Sequence, residues 1–207
     1  MKLFGSNPEK ILEWLKQPII DNEIELEVIF GSTPWKNPIN KGIFMKVLDV
    51  CKNTYMNKSE TTDLDIRTQY KGYPSNVRAT IHGLNSIKKY CKNESFEGIS
   101  DIEFMHKKAI TGFNQLKDEN YNIRLNVKHE KVLEDSHYFV RSFKEDYENK
   151  NKHYRYKKRF SFITDDRLFR IDLTIIKATN YRNRKYDFQK TFKKANILQN
   201  KETYEIE

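Results

Sequence analysis

Apolar and polar residues alternate along much of this chain, and period-two alternation is the mark of a strand with two unlike faces. It runs through roughly 23–30, 61–70, 76–82, 101–109, 121–130, 153–163, 168–177 and 203–207, which predicts eight strands. Helical spacing shows in three places. Asn7 can cap a helix with Pro8 at its first position, after which Ile11, Leu12 and Leu15 share a face. The stretch 40–53 brings Phe44, Val47, Leu48 and Cys51 together, and 84–92 does the same for Leu84, Ile87 and Cys91, with Gly83 at the junction with the strand before it. The segments 134–152 and 180–199 are charged and loosely patterned, and are expected as connections, helical in part. The pattern predicts a mainly β (α+β) fold, an antiparallel sheet with a few flanking helices in one domain spanning 1–207.

The polar faces of the predicted strands are charged, and the sign varies from strand to strand. In Ile24-Glu25-Leu26-Glu27-Val28 the two glutamates share a face, joined by Glu23, and the aliphatic residues take the other. Tyr204-Glu205-Ile206-Glu207 repeats the arrangement at the opposite end of the chain. Between them the faces are mainly basic: Arg78 with Thr80, Arg124 with Lys128, and Arg155, Lys157 and Arg159 in line, while Arg170, Asp172 and Thr174 form a mixed row. One such strand could be an ordinary solvated face. Acids gathered on the terminal strands and bases on the middle ones argue for more.

If the sheet closes into a barrel, inward and outward residues alternate and these faces turn inward together. Four carboxylates on one wall would repel one another unless a cation lay among them, and Mg²⁺ or Mn²⁺ prefers such oxygen donors. Arginine and lysine opposite would clamp phosphate.

Composition fits a phosphate-bearing partner. The net charge is +9 and the pI about 9.3, which draws polyanions, and within an apolar content of only 37% the aromatic residues, 13% of the chain, have to supply much of the core area. Cys51 and Cys91 lack metal or redox spacing and are expected as free thiols in a reducing compartment. No apolar run is long enough to span a membrane and no signal-peptide core opens the chain, so a soluble, intracellular protein is expected. A Gly-rich phosphate loop and Ser-His-Asp spacing are both absent. His82, His106, His129, His137 and His153 show no ligand spacing and are expected at the surface or on a tunnel rim. Tyr154, Tyr156, Phe160 and Phe162 read as core rather than as base-stacking residues.

Four segments in order, IELEVIFG at 24–31, YRYKKRFSF at 154–162, RIDLTIIK at 170–177 and YEIE at 204–207, resemble the tunnel-type, metal-dependent RNA triphosphatases of large-DNA-virus capping enzymes, within the triphosphate tunnel metalloenzymes. The resemblance spans nearly the whole chain. It implies a closed, antiparallel eight-stranded barrel, the triphosphate tunnel, with Mg²⁺ or Mn²⁺ held by Glu25, Glu27, Glu205 and Glu207. It implies phosphate contacts from Arg78, Arg124, Lys128, Arg155, Lys157, Arg159 and Arg170, with Arg78, Arg124 and Lys128 the looser matches. The implied substrate is 5′-triphosphate RNA, with free nucleoside triphosphates also accommodated, and the implied reaction removes the γ-phosphate as the first step of mRNA capping. Guanylyltransferase and methyltransferase domains of one capping enzyme are the implied neighbours, and the host cytoplasm or a virion the implied setting. Two departures stand out: Ile29 occupies a position where relatives often place Lys or Arg, and the sequence stops at Glu207, where relatives often continue.

Phosphoryl transfer needs positioning and charge neutralisation more than a covalent nucleophile, so Arg159 and Lys157 are expected on the phosphoryl oxygens and Glu205 or Asp172 on the attacking water. Asp172 reads equally as an ion-pair partner of Arg170. Two other readings stay open: a different tunnel activity on triphosphates or polyphosphate, and a non-catalytic basic RNA-binding module whose glutamates are merely solvated.

Overall fold

The computed structural model describes residues 23–31, 38–110, 116–118 and 122–207. The helix expected from Asn7 onward lies outside them. Strand β1 (Ile24–Phe30) is followed by helix α1 (Lys41–Thr54), strands β2 (Lys58–Tyr70), β3 (Tyr73–Pro74) and β4 (Val77–His82), and helix α2 (Leu84–Asn93). Then come β5 (Ile102–Ala109), β6 (Leu116–Asp118), β7 (Ile123–Leu133), helix α3 (Tyr138–Lys144), β8 (Lys152–Ile163) and β9 (Arg170–Ala178). A small hairpin of β10 (Tyr181–Arg182) and β11 (Lys185–Tyr186), a short helix α4 (Phe192–Ala195) and β12 (Thr203–Ile206) complete the order.

The main sheet runs β1-β7-β5-β4-β2-β8-β9-β12, all antiparallel, with β3 added to β2 and β6 to β7. The two ends of this order approach each other, and Ile39, beyond β1, forms an antiparallel bridge with Tyr204 of β12. The result is a nearly closed eight-stranded barrel, as the strand pattern and the resemblance implied. No helix among the described residues is long and apolar enough to cross a membrane.

Charged residues line the inside of this barrel and apolar ones cover its outside. On β2, Asp63, Asp65 and Arg67 face the interior, while Leu64 and Ile66 between them are fully buried against the outer layer. On β8, Arg155, Lys157 and Arg159 face inward, and Tyr154, Phe160 and Phe162 face out into core. Among the described residues the apolar core therefore forms two clusters outside the wall. One joins β2, β4 and β5 to α2, α3 and α4 through Ile87, Tyr90, Val140, Phe143 and Phe192. The other seats α1 on β8, β9 and β12 through Phe44, Leu48, Cys51, Leu173 and Ile206.

Local signals set the helices. The Asn40 side chain accepts from the Ile43 amide at 2.9 Å and starts α1, and Gly83, at φ +78°, turns the chain from β4 into α2. Two expectations are corrected. The buried face of α2 is Ile87 and Tyr90, while Leu84 is exposed and Cys91 only partly covered, because the helix docks through the Tyr90 ring and its hydroxyl pairs with that of Tyr147 at 2.6 Å. The charged connections at 134–152 and 180–199 are helical in part, as expected, and also supply core: Val140, Phe143 and Tyr147 from one, Phe192 and Ile197 from the other, few apolar residues but all turned to the wall. His153 is likewise not a surface or rim residue. It lies in the row of Arg155 and Lys157, 7% exposed, beneath the rings of Tyr186 and Phe188.

Two outcomes follow from this packing. Phe44 is fully buried, with its ring 5.0 Å from that of Tyr204, so Phe44→Ala should cost about 3–5 kcal/mol in chemical denaturation; a loss below about 1 kcal/mol would mean α1 does not anchor β12. Burial, then Arg155 and Arg67, push the His153 imidazole from its ordinary 6.5 down to about 3, so it stays neutral in the folded chain and becomes charged in the unfolded one. Between those values the unfolded state binds the extra proton, and stability falls as pH falls through the window. Relative to His153→Gln, the wild type should lose about 2 kcal/mol between about pH 7 and pH 5; parallel curves would show that the imidazole is not held neutral.

Candidate active site

The barrel interior is a cavity of about 790 Å³ to which all eight principal strands contribute. Every site position read from the sequence lines it: Glu25, Glu27, Arg78, Arg124, Lys128, Arg155, Lys157, Arg159, Arg170, Asp172, Glu205 and Glu207. Thr80 faces the same interior, and Ile29 adds an uncharged place to the wall.

Three carboxylates converge on one side. Glu25, Glu27 and Glu130 each bring an oxygen within 4.8 Å of the others. The Lys107 ammonium sits among them, 2.9 Å from Glu25 Oε2, 3.2 Å from Glu27 Oε1 and in contact with Glu130, and Lys128 Nζ donates to Glu27 Oε2 at 2.7 Å. Burial, with Glu27 and Glu130 beside it, pushes the Glu25 carboxyl up to about 7 despite Lys107. Burial also opposes ionisation of Glu27, but Lys107 and Lys128 overcome it and hold that carboxyl at about 2. A cluster of hard oxygen donors that already gathers around one cation suits Mg²⁺ or Mn²⁺.

Glu205 and Glu207 are in the same cavity but not in that cluster. Arg155 Nη2 reaches both oxygens of Glu205, at 3.1 and 3.0 Å. Glu207 has its carboxyl pushed up by burial and by the charges of Glu205 and Glu27, which puts β12 near enough to β1 for the two acidic strands to feel each other.

The rest of the lining is a lattice of opposite charges. Asp65 accepts from Lys157 at 2.8 Å and from Thr80 at 2.9 Å. Asp63 meets His82 Nδ1 at 2.8 Å, a contact that raises the imidazole. Asp172 is gripped by Arg170, with Nε at 3.1 Å from both its oxygens, and has Arg159 at 3.6 Å, so the ion-pair reading of Asp172 describes its geometry. Two guanidinium groups are less well matched. Arg78 donates one Nη to the Met105 sulfur at 3.1 Å, and the buried Nε atoms of Arg78 and Arg124 have no hydrogen-bond acceptor. Arg78 Nε has only the Asp65 carboxylate at 3.9 Å, an ion pair beyond hydrogen-bond reach, so each of the two guanidinium groups keeps a donor that a further anion could satisfy.

Sequence reasoning missed Lys107, Glu130, Asp63, Asp65 and Arg67, all of which line the cavity, as does His82, a residue expected at the surface or rim. The same period-two rule reaches most of them: Asp63, Asp65 and Arg67 alternate along β2, and Glu130 stands two residues after Lys128. The expectation that acids keep to the terminal strands is corrected accordingly, since Asp63, Asp65, Glu103 and Glu130 lie on middle strands, where buried bases need partners.

No family model and no curated protein matches this sequence. Solved structures do match. The triphosphatase of the Mimivirus capping enzyme, in its triclinic form, superposes with a TM-score of 0.69 at 19% identity over 100% of this chain and 88% of that one. The monoclinic form gives 0.65 at 20% identity over 96% and 85%. A structure described as the RNA triphosphatase domain of a trifunctional mimivirus mRNA capping enzyme gives 0.65 at 21% identity over 96% and 85%. The chain therefore shares the fold of the Mimivirus capping-enzyme triphosphatase along its whole length.

Proposed function

We propose that this chain is a metal-dependent RNA 5′-triphosphatase, which removes the γ-phosphate of 5′-triphosphate RNA as the first step of mRNA capping and works beside the later capping activities, guanylyl and methyl transfer. The observation that carries the reading is a three-carboxylate cluster in the same cavity as two arginines, Arg78 and Arg124, whose buried Nε atoms have no hydrogen-bond acceptor. A fold shared with the Mimivirus triphosphatase supports it.

In this reading Glu25, Glu27 and Glu130 hold the Mg²⁺ or Mn²⁺, with Glu207 and Glu205 from the facing strand completing the acidic surroundings. When bound, the ion neutralises charge on the triphosphate oxygens and acidifies coordinated water. Arg78 and Arg124 bind phosphoryl oxygens with the donors that lack protein acceptors, and Lys157, Arg159, Arg155 and Arg170 extend the basic bed. Glu205, steadied by Arg155, takes the proton of the attacking water. The new bond forms between water oxygen and the γ-phosphorus, and the bond to the β–γ bridging oxygen breaks. The products are a 5′-diphosphate end and inorganic phosphate. Asp172 acts by fixing Arg170 and Arg159. Free nucleoside triphosphates present the same three phosphates and should be turned over as well.

The test is γ-phosphate release from 5′-triphosphate RNA and from ATP, with Mg²⁺ or Mn²⁺ or with chelator, for wild type, Glu27→Ala and Arg78→Ala. Release should require the metal and fall by about a hundredfold or more in each variant. Metal-independent, salt-sensitive RNA binding without turnover would overturn the reading in favour of a basic RNA-binding module.

A further inference from the structure

A second cavity, of about 1240 Å³, lies on the outer face of the barrel between the β2–β3 hairpin and α3. The hairpin turns on Lys71 and Gly72, both at positive φ (48° and 85°), a two-residue turn that sets Tyr70 and Tyr73 opposite one another. These two rings and Tyr138 of α3 are 64%, 65% and 58% exposed. Exposed tyrosines are unremarkable singly, but three lining one groove are a surface. Behind them His106 and Tyr138 flank Phe139, with ring centroids 4.8 and 4.0 Å away, so the groove floor is itself aromatic. Lys71 and Lys150 line it, and among the described residues not one carboxylate does, in a chain with 29 Asp and Glu.

The groove and the tunnel meet at one residue. Asn76 lines both cavities, and its carbonyl accepts from the backbone amide of Lys107, the residue whose ammonium sits among Glu25, Glu27 and Glu130. His106 and Lys107, neighbours on β5, face the groove and the tunnel respectively. A chain whose 5′ phosphates lie in the tunnel can therefore pass over the rim at Asn76 and meet tyrosines and lysines at once. Aromatic rings beside cations, without acids, are how proteins hold single-stranded nucleic acid irrespective of sequence, since every base has a face to stack.

We propose that this groove binds the first nucleosides of the RNA substrate by stacking on Tyr70, Tyr73 and Tyr138, and so makes the enzyme favour RNA over free triphosphates. The inference rests on the triphosphatase reading above for what occupies the tunnel. The experiment compares wild type with Tyr73→Ala, Tyr138→Ala and the double variant. Substrates are a single-stranded 5′-triphosphate RNA of about ten nucleotides and inorganic tripolyphosphate, which has no base. KM for RNA should rise about five- to tenfold in each single variant and further in the double, while kinetics on tripolyphosphate stay at wild-type values. An unchanged KM for RNA, or an equal loss on both substrates, would overturn the proposal. If wild type hydrolyses neither substrate, the triphosphatase reading has failed. Fluorescence anisotropy with the same RNA bearing a 5′-hydroxyl then decides the groove by itself: weaker binding by the variants supports it, and equal binding overturns it.

Discussion

Asp65 and Lys157 face each other at 2.8 Å inside the barrel, with side chains 3% and 6% exposed, and neither charge could remain there without the other. Thr80 and Arg78 add to the same carboxylate, so β2, β4 and β8 are tied together through polar groups on the face where most barrels of this size put aliphatic ones. Desolvating such a pair costs about as much as its attraction returns, and apolar residues of similar volume would hold the wall at least as well. A charged interior is thus an expense in stability, and it makes sense only if the interior has something charged to bind.

Stability then has to come from elsewhere, and the outward faces supply it. Leu64, Ile66, Tyr154, Phe162 and Leu173 alternate with the tunnel residues on the same strands, so one stretch of backbone carries both core and site. The helices shield that outer core from water. Coupling between the two faces is unavoidable: a strand that slipped by one residue would bring its charges into the apolar layer and its apolar residues into the tunnel, which fixes the register strongly. Glu94 illustrates the economy of the outer layer, ending α2 and capping α4 through the amides of Phe192 and Lys193.

The barrel was legible in the sequence because both faces of each strand carry a strong, opposite signal. Glu25 and Glu27, and the row Arg155, Lys157, Arg159, needed nothing more than period two. What escaped was partnership across strands. Lys107 lies in a run, His106-Lys107-Lys108, whose alternation is blurred, and nothing local says that it reaches Glu25 and Glu27, some eighty residues earlier. Asp63 and Asp65 stand in plain alternation on β2, against a segregation of signs between terminal and middle strands. Buried charges pair with their opposites, so a basic row on β8 should have led to an acidic one on its neighbour β2. The outer groove was out of reach altogether, since it joins residues near 70 to residues near 138 and 150.

The same pairing explains how the tunnel can stay soluble in itself and still bind a triphosphate. Its lining holds as many lysines and arginines as carboxylates, so most of its charges are satisfied internally. Lys107 and Lys128 are committed to Glu25, Glu27 and Glu130, and Arg155 to Glu205. Under the proposed function, Lys107 and Lys128 become available to phosphate oxygens when those carboxylates hold a divalent cation in place of ammonium groups. Cation and triphosphate then favour each other's binding even where they do not touch, because each removes a partner that the other would have to displace, and the favour is reciprocal by linkage. Arg78 and Arg124 stand outside this exchange. Under the proposed function their Nε donors, which lack hydrogen-bond acceptors, reach a triphosphate without any internal hydrogen bond having to open.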